Sequence, residues 1–235
     1  MKQLGIAAAV ATLFVFTSLA QSGLDAEGVA NGKTVLWFSG TEVTALIDSG
    51  FSVSGSLEIE ERTVRFTALG TAFGQGVGDS SAMTLDVWIL IDASGATDDG
   101  EPVSIRGGMA GSGTDTDLSA SALGSATGPF FFVVTLDTNS YRALGTAEGS
   151  AAGAFVVPED PLTMQIEGSA TYTLVGDLVV DAPPADAEAA PSPYLEQLPW
   201  DPASWPAELF TQLLELLDGT ASEPNEDSEG EPAAD

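Results

Sequence analysis

A seven-residue pattern, A-L-G-[T/S]-A-x-G, occurs three times and constrains this chain to β structure more than any other feature. The copies begin at Ala68, Ala122 and Ala143. Because successive side chains of a strand point to opposite faces, each copy would place Ala, Gly, Ala and Gly on one face and Leu with Thr or Ser on the other. The copies are unevenly spaced, which argues against a solenoid of fixed period. The pattern therefore predicts strands and indicates no chemistry.

Alternation of apolar and polar residues extends through most of residues 33–180. The clearest run is 83–92, where Met, Leu, Val and Ile occupy every second position. In 62–74 the apolar face shrinks from Val64 and Phe66 to glycine, which is typical of a core-facing side where a sheet coils tightly or another layer comes close. About ten strands separated by turn signals predict an all-β domain, either an antiparallel β-barrel or a β-sandwich.

Residues 118–160 are predicted to form a three-stranded meander. Gly128-Pro129 would make its first turn, and the second would have Thr138 and Asn139 as loop residues. That second turn places Phe132 opposite Gly145, where an aromatic ring would cover bare backbone.

The N-terminus has the composition of a secretory signal peptide in residues 1–20. Lys2 precedes an apolar run over 4–16, and Ser18 and Ala20 are the small residues that favour cleavage after Ala20. This predicts a secreted, periplasmic or cell-surface protein without a transmembrane span in the mature chain. Residues 21–32 are expected to be a disordered lead-in, and 33–180 the β domain.

Composition changes at residue 181, where an acidic linker is expected to run to 193. A segment at 194–217 is predicted to contain one amphipathic helix capped by Ser204, with Leu209, Leu213, Leu216 and Leu217 on one face. Residues 218–235 form an acidic tail that is expected to be disordered; from 181 onward there are 14 acidic residues and no basic ones.

The helical segment 194–217 has three interpretations. It packs on its own β domain, with the small-residue faces of the repeats as the receiving surface, or it docks on a partner protein. A position on a membrane surface is disfavoured, because the segment lacks the Lys and Arg that such helices use.

The charge of the chain is strongly negative. There are 35 acidic and 6 basic residues, and the formal net charge is −29. Nucleic acid is therefore excluded as a partner, since affinity for phosphates comes from Lys and Arg. The acidic surface favours cations, and it fits either adaptation to high salt or simple solubilisation.

Few catalytic groups are present. Without His or Cys, the chain has no imidazole base, no thiol nucleophile and no His or thiolate metal ligand. Asp86 and Asp92, on either side of Trp88, are the best candidates for a carboxylate pair acting on a glycan. The alternative for these residues, and for Glu58, Glu60 and Glu61, is an acidic solvent-facing surface.

Calcium is the one metal worth considering, because it accepts oxygen ligands alone. Asp115-Thr116-Asp117 and Asp98-Asp99-Gly100-Glu101 are the candidate sites. Neither has the full spacing of a known calcium loop, and solvated acidic loops are the favoured explanation of both. The sequence leaves metal binding undecided and predicts no cofactor.

Together these features favour a non-enzymatic binding or structural role for a secreted or cell-envelope β domain. A carboxylate-based glycan hydrolase is one alternative. A carrier of a small apolar ligand is another, provided that the domain is a hollow barrel. An outer-membrane barrel is disfavoured, because most strands have too few large residues for a lipid-facing band.

Overall fold

The computed structural model describes residues 22–59, 62–117, 122–156, 163–180 and 194–219. The predicted signal peptide, the linker at 181–193 and nearly all of the acidic tail lie outside these ranges, so these predictions stand as made.

Eight antiparallel strands form a closed barrel. Each strand pairs with its neighbours in sequence, and β1 closes the ring by pairing with β8. The all-β antiparallel class is confirmed, and of the two predicted architectures the barrel is the one observed. The strands are β1 (Gly23–Ser39), β2 (Glu42–Ile59), β3 (Arg62–Asp79), β4 (Thr84–Thr97), β5 (Pro102–Asp117), β6 (Ala122–Leu136), β7 (Asn139–Val156) and β8 (Thr163–Val180).

The strands are fewer and longer than predicted, and two segments explain most of the difference. The polar stretch around Gly50 looks like a turn but continues β2, where Gly50 pairs with Asn31 and Thr71. The expected disordered lead-in at 21–32 is wrong, because β1 begins at Gly23. Its inward residues there are mostly Ala and Gly, so the alternation carries little hydrophobic contrast.

β6 passes straight through Gly128-Pro129, which were predicted to turn. Pro129 pairs with Thr146 of β7, while the ladder to β5 is interrupted beside it. Proline has no N–H to donate, so it interrupts pairing on one side without ending the strand. The predicted three-stranded meander is therefore two strands.

The β6–β7 turn lies at Asp137-Thr138, one position earlier than predicted, and this shifts the ladder by two residues. Phe130, and not Phe132, is opposite Gly145. Asp137 has φ of +53°, in the left-handed region that Asp tolerates better than most residues.

The small-residue faces of all three repeats point into the barrel, as the alternation predicted. Ala68, Ala72, Ala143 and Ala147 are buried inside it. Large side chains fill the half of the barrel that contains the start of β1 and the β4–β5 and β6–β7 turns, here called the packed end. They include Leu24, Leu57, Val64, Phe66, Val103, Ile105, Phe130, Phe132, Val134, Tyr141 and Leu174.

A C-terminal helix, α1 (Ala207–Leu217), packs on the outside of the barrel. Its buried residues are the predicted ones: Leu209, Leu213, Leu216 and Leu217. The receiving surface is an outward apolar patch that includes Leu90, Phe131 and Val133, and not the small-residue faces of the repeats. Trp205 lies so close to Gly108 that a Cβ there would be 2.7 Å from its Cη2 atom.

The helix begins later than predicted, and Ser204 does not cap it. Pro206 holds Trp205 in an extended conformation, so the helix starts only at Ala207. Ser204 instead ends a 3₁₀ turn (Pro202–Ser204), where its hydroxyl donates to the carbonyl of Asp201 at 2.7 Å. A second 3₁₀ turn spans Leu195–Gln197. Among the described residues, no helix has the length and apolar character needed to span a membrane.

Candidate ligand cavity in the barrel

The half of the lumen away from the packed end is hollow. We call it the mouth end, and it carries the β1–β2 and β3–β4 turns. The cavity there has a volume of about 190 Å³. Ala151 and Gly168 face the lumen and are nevertheless exposed, so the cavity opens to solvent.

Small residues make this space. An eight-stranded barrel is just wide enough for side chains to fill it or for one small ligand to occupy it. At the packed end the lumen is filled by Phe and Leu, whereas at the mouth end most inward positions are Gly, Ala or Ser. The inward lining includes Ala30, Gly32, Thr34, Leu36, Ile47, Ser49, Leu85, Val87, Ile89, Gly113, Gly124, Ala126, Gly149, Ala151, Gly153, Ile166, Gly168, Ala170 and Tyr172.

Two aromatic rings separate the halves. Phe51 and Tyr172 lie 6.1 Å apart between ring centroids, tilted by 55°. Each ring lies over a glycine of a neighbouring strand. A Cβ at Gly28 would be 2.7 Å from Cζ of Phe51, and one at Gly149 would be 2.7 Å from Cδ1 of Tyr172. The two glycines leave room for these rings inside the lumen, and the Tyr172 ring forms part of the cavity wall.

Three hydroxyl-bearing side chains occupy inward positions in this apolar wall: Thr34, Ser49 and Tyr172. Ser49 is only 9% exposed. Burial raises the pKa of the Tyr172 hydroxyl above its ordinary value, so Tyr172 is neutral near pH 7. No lining residue within the described ranges is charged.

The β3–β4 turn lies at the same end of the barrel and borders a separate pocket of about 20 Å³. Asp79 accepts hydrogen bonds from the hydroxyl of Ser81 at 2.6 Å, from the Ser81 N–H at 2.7 Å and from the Ala82 N–H at 3.1 Å. These bonds, that of the Ser81 hydroxyl first, lower the pKa of the Asp79 carboxyl. The carboxylate thus shapes the turn beside the mouth.

The predicted carboxylate pair lies elsewhere, on the outer face of β4. Asp86 accepts a hydrogen bond from Ser112 Oγ at 2.6 Å, and Asp92 pairs with Nε of Arg106 at 3.2 Å. Six residues of extended strand separate the two carboxylates by about 20 Å, whereas glycosidase pairs are about 5–10 Å apart. Trp88, between them, packs at the edge of the helix-covered patch. The arrangement does not form a glycosidase pair.

The other acidic candidates are also peripheral. Glu58 accepts from the hydroxyl of Thr63 at 2.9 Å on the surface, and Glu60 and Glu61 lie outside the described residues. In the β4–β5 turn, Asp99 and Glu101 both pair with Arg62, at 3.5 and 3.4 Å.

Calcium binding has no assembled site in the described part of the chain. Within it, no group of three or more acidic side chains is placed to hold a metal ion. Asp115-Thr116-Asp117 end strand β5, but their side chains are not among those described. The prediction of a calcium site at Asp115-Thr116-Asp117 therefore remains untested.

Comparison with known proteins identifies no relative. The chain matches no family model, and neither curated proteins nor solved structures give a significant match. Any functional argument therefore depends on the geometry of the chain itself.

Sequence reasoning missed the residues that matter most in the cavity. Tyr172 belongs to a predicted strand, whereas Ser49 lies in the stretch around Gly50 that resembles a turn. A signal was present for Tyr172, because it is a polar residue on the same strand face as Leu174. A polar residue on the small-residue face of a barrel strand is the pattern that points to a cavity.

Proposed function

We propose that this chain is a non-enzymatic binding protein that holds a small apolar molecule in the mouth-end cavity. One observation carries the proposal: the same barrel is tightly filled at one end and hollow at the other. A barrel that served only as a rigid structural element would gain stability from large side chains along its whole length. Here most of the inward positions that line the cavity are Gly, Ala or Ser, although Leu36, Val43 and Ile166 form a small buried cluster at the same end.

The size and lining of the cavity set the class of ligand. An apolar cavity of about 150 Å³ in another protein stays dry and binds benzene. A cavity of about 190 Å³ accommodates a single ring with a few additional carbon atoms. Leu36, Val87 and Ile89 supply an apolar surface for such a molecule.

A location outside the cytoplasm is part of the proposal. The signal-peptide pattern at residues 1–20 and the strongly acidic composition support it. Mass spectrometry of the exported protein should show an N-terminus at Gln21. A cell-associated product that retains Met1 would contradict this part of the proposal.

A cavity-filling variant tests the binding role. Toluene is a suitable probe, and ¹³C-methyl NMR can follow the methyl groups of Val87 and Ile89, which line the cavity, against Leu57 at the packed end. Wild-type protein should show saturable shifts at Val87 and Ile89 only. Ala151→Phe should abolish them, because Ala151 faces the open lumen and the new ring would occupy it.

The matched control is Ala154→Phe. Ala154 is three residues further along the same strand, exposed, and on the outer face by the alternation of β7. This variant should bind toluene like the wild type. Unsaturable shifts in the wild type, or equal binding by Ala151→Phe, would refute the carrier role and leave a structural role as the better explanation.

A further inference from the structure

We infer that Ser49 and Tyr172 form a polar anchor in this cavity, and that the anchor selects neutral ligands with one hydroxyl or carbonyl group on a small apolar body. The inference rests on the proposed function and deepens it by naming the ligand class.

Ser49 is the first half of the anchor. Its side chain is nine-tenths buried, it lines the cavity, and its hydroxyl makes no hydrogen bond to another residue within the described ranges. The Ser49 oxygen is not among the described polar atoms that are both unpaired and shut off from solvent, so it is available from the cavity, and a ligand group can replace water as its partner. Gly32 is the ladder partner of Ser49, and because it has no side chain it does not obstruct a ligand that approaches Ser49.

Tyr172 is the second half. Its ring forms part of the cavity wall, and its hydroxyl has no hydrogen-bond partner in the part of the chain that the structure describes. Desolvation alone accounts for the raised pKa of this hydroxyl. A neutral phenol both donates and accepts a hydrogen bond, so it can pair with a ligand hydroxyl or carbonyl.

Ser49 and Tyr172 line the same cavity. Ser49 is on β2 and Tyr172 on β8, and both strands pair with β1. Between their ladder partners on β1, Gly32 and Gly28, the one inward side chain is the methyl group of Ala30. Both residues therefore border the space that a ligand in this cavity would occupy.

The uncharged lining of the cavity disfavours ionised ligands. Moving an unpaired charge into an apolar site is costly, and no described lining residue offers a counter-charge. The acidic surface adds a further barrier for anions, because the formal net charge of the chain is −29.

A matched set of probes tests the anchor on the full chain. Toluene is the apolar reference, p-cresol adds one hydroxyl group to the same ring, and benzoate is the anionic comparison. In the same NMR titration, p-cresol should bind about tenfold more tightly than toluene, as expected for about one net hydrogen bond. Benzoate should bind more weakly than either.

Substitutions then assign the preference to the two residues. Ser49→Ala with Tyr172→Phe should bring the p-cresol to toluene ratio close to one while toluene affinity stays within about twofold, since only hydroxyl groups are removed. The controls are Ser54→Ala, on the outer face of β2, and Tyr141→Phe, at the packed end. Both controls should keep the tenfold preference.

The outcomes separate this inference from the proposed function. If toluene binds but p-cresol binds no better, or if the preference survives the double substitution, the anchor is refuted while the carrier role stands. Benzoate binding as tight as that of p-cresol would refute the selection of neutral ligands. If neither toluene nor p-cresol binds, both proposals fail.

Discussion

The ring of Phe130 reaches across β7 to Gly176 on β8, so that a Cβ at residue 176 would lie 2.8 Å from Cζ of Phe130. Phe130 pairs with Gly145, and Gly145 pairs in turn with Gly176. One aromatic ring therefore spans three strands of the wall by crossing two successive glycines. This arrangement fills the packed end of the barrel.

Gly176→Ala should destabilise the protein by about 1–3 kcal/mol, because the new methyl group would clash with both the Leu144 carbonyl and the Phe130 ring. The free energy of unfolding from urea denaturation measures this. Gly50→Ala is the control, since the nearest atom to a Cβ there is 3.9 Å away. Equal stability of the two variants would show that the ring does not occupy this position.

Docking of α1 should contribute measurably to stability. Leu213 is fully buried between the helix and the barrel, so Leu213→Ala should cost about 2–5 kcal/mol through lost transfer free energy and a residual cavity. Leu214→Ala, one residue along and only partly buried, should cost less. Thermal unfolding of both variants checks the ranking. A neutral Leu213→Ala would instead favour 194–217 as a segment that binds another protein.

Stability should rise with salt. The net charge of −29 makes the folded chain repel itself, and the screening length falls from about 10 Å at 0.1 M to about 3 Å at 1 M salt. Melting temperatures in increasing NaCl should therefore increase. Deleting residues 220–235, which carry six acidic residues, separates the tail from the barrel. A truncated protein with no salt response would rule out salt adaptation of the barrel.

Tyr172 should make stability decrease at alkaline pH. Burial raises its folded-state pKa above the ordinary 10.0, so the unfolded chain loses this proton first. The contribution is fully present below pH 10 and is lost as the pH rises through the folded-state pKa. The absorbance titration of the wild type minus that of Tyr172→Phe isolates the ionisation of Tyr172, whose midpoint should lie above 10.0. A midpoint at or below 10.0 would contradict the burial.

The sequence predicted the inward faces well and the turns poorly. The period of two assigned Val64, Phe66 and Ala68 to the core, because burial and side-chain alternation share that period. The turns were predicted poorly because Gly and Pro usually interrupt strands, yet Gly50 and Pro129 lie inside long strands. Pairing across a closed sheet tolerates such residues when neighbours on both sides hold the strand.

The cavity was harder to predict than the fold. A small-residue face is compatible with a tightly coiled sheet, a close second layer or a hollow lumen. What decides among them is the pairing of β2 and β8 with β1, which brings Phe51 close to Tyr172. The β1–β8 register has no connecting turn in the sequence that could predict it. The clustering of Leu209, Leu213 and Leu217 predicted a buried helix face, but its receiving patch comes from outward residues on several strands.

Closure of the ring between β1 and β8 has a consequence for the order in which the chain acquires structure. β1 is the first strand to be synthesised, yet the edge that pairs Gly23 with Asp177 has no partner until β8 is complete. Until β8 is complete, the nascent chain has an unpaired edge on β1 that could pair with the same edge of another copy. Asp25, Glu27 and Lys33 alternate along β1, and charged side chains on an unpaired edge oppose such joining. These charges protect the unfinished chain more than the finished barrel, whose edges are all paired.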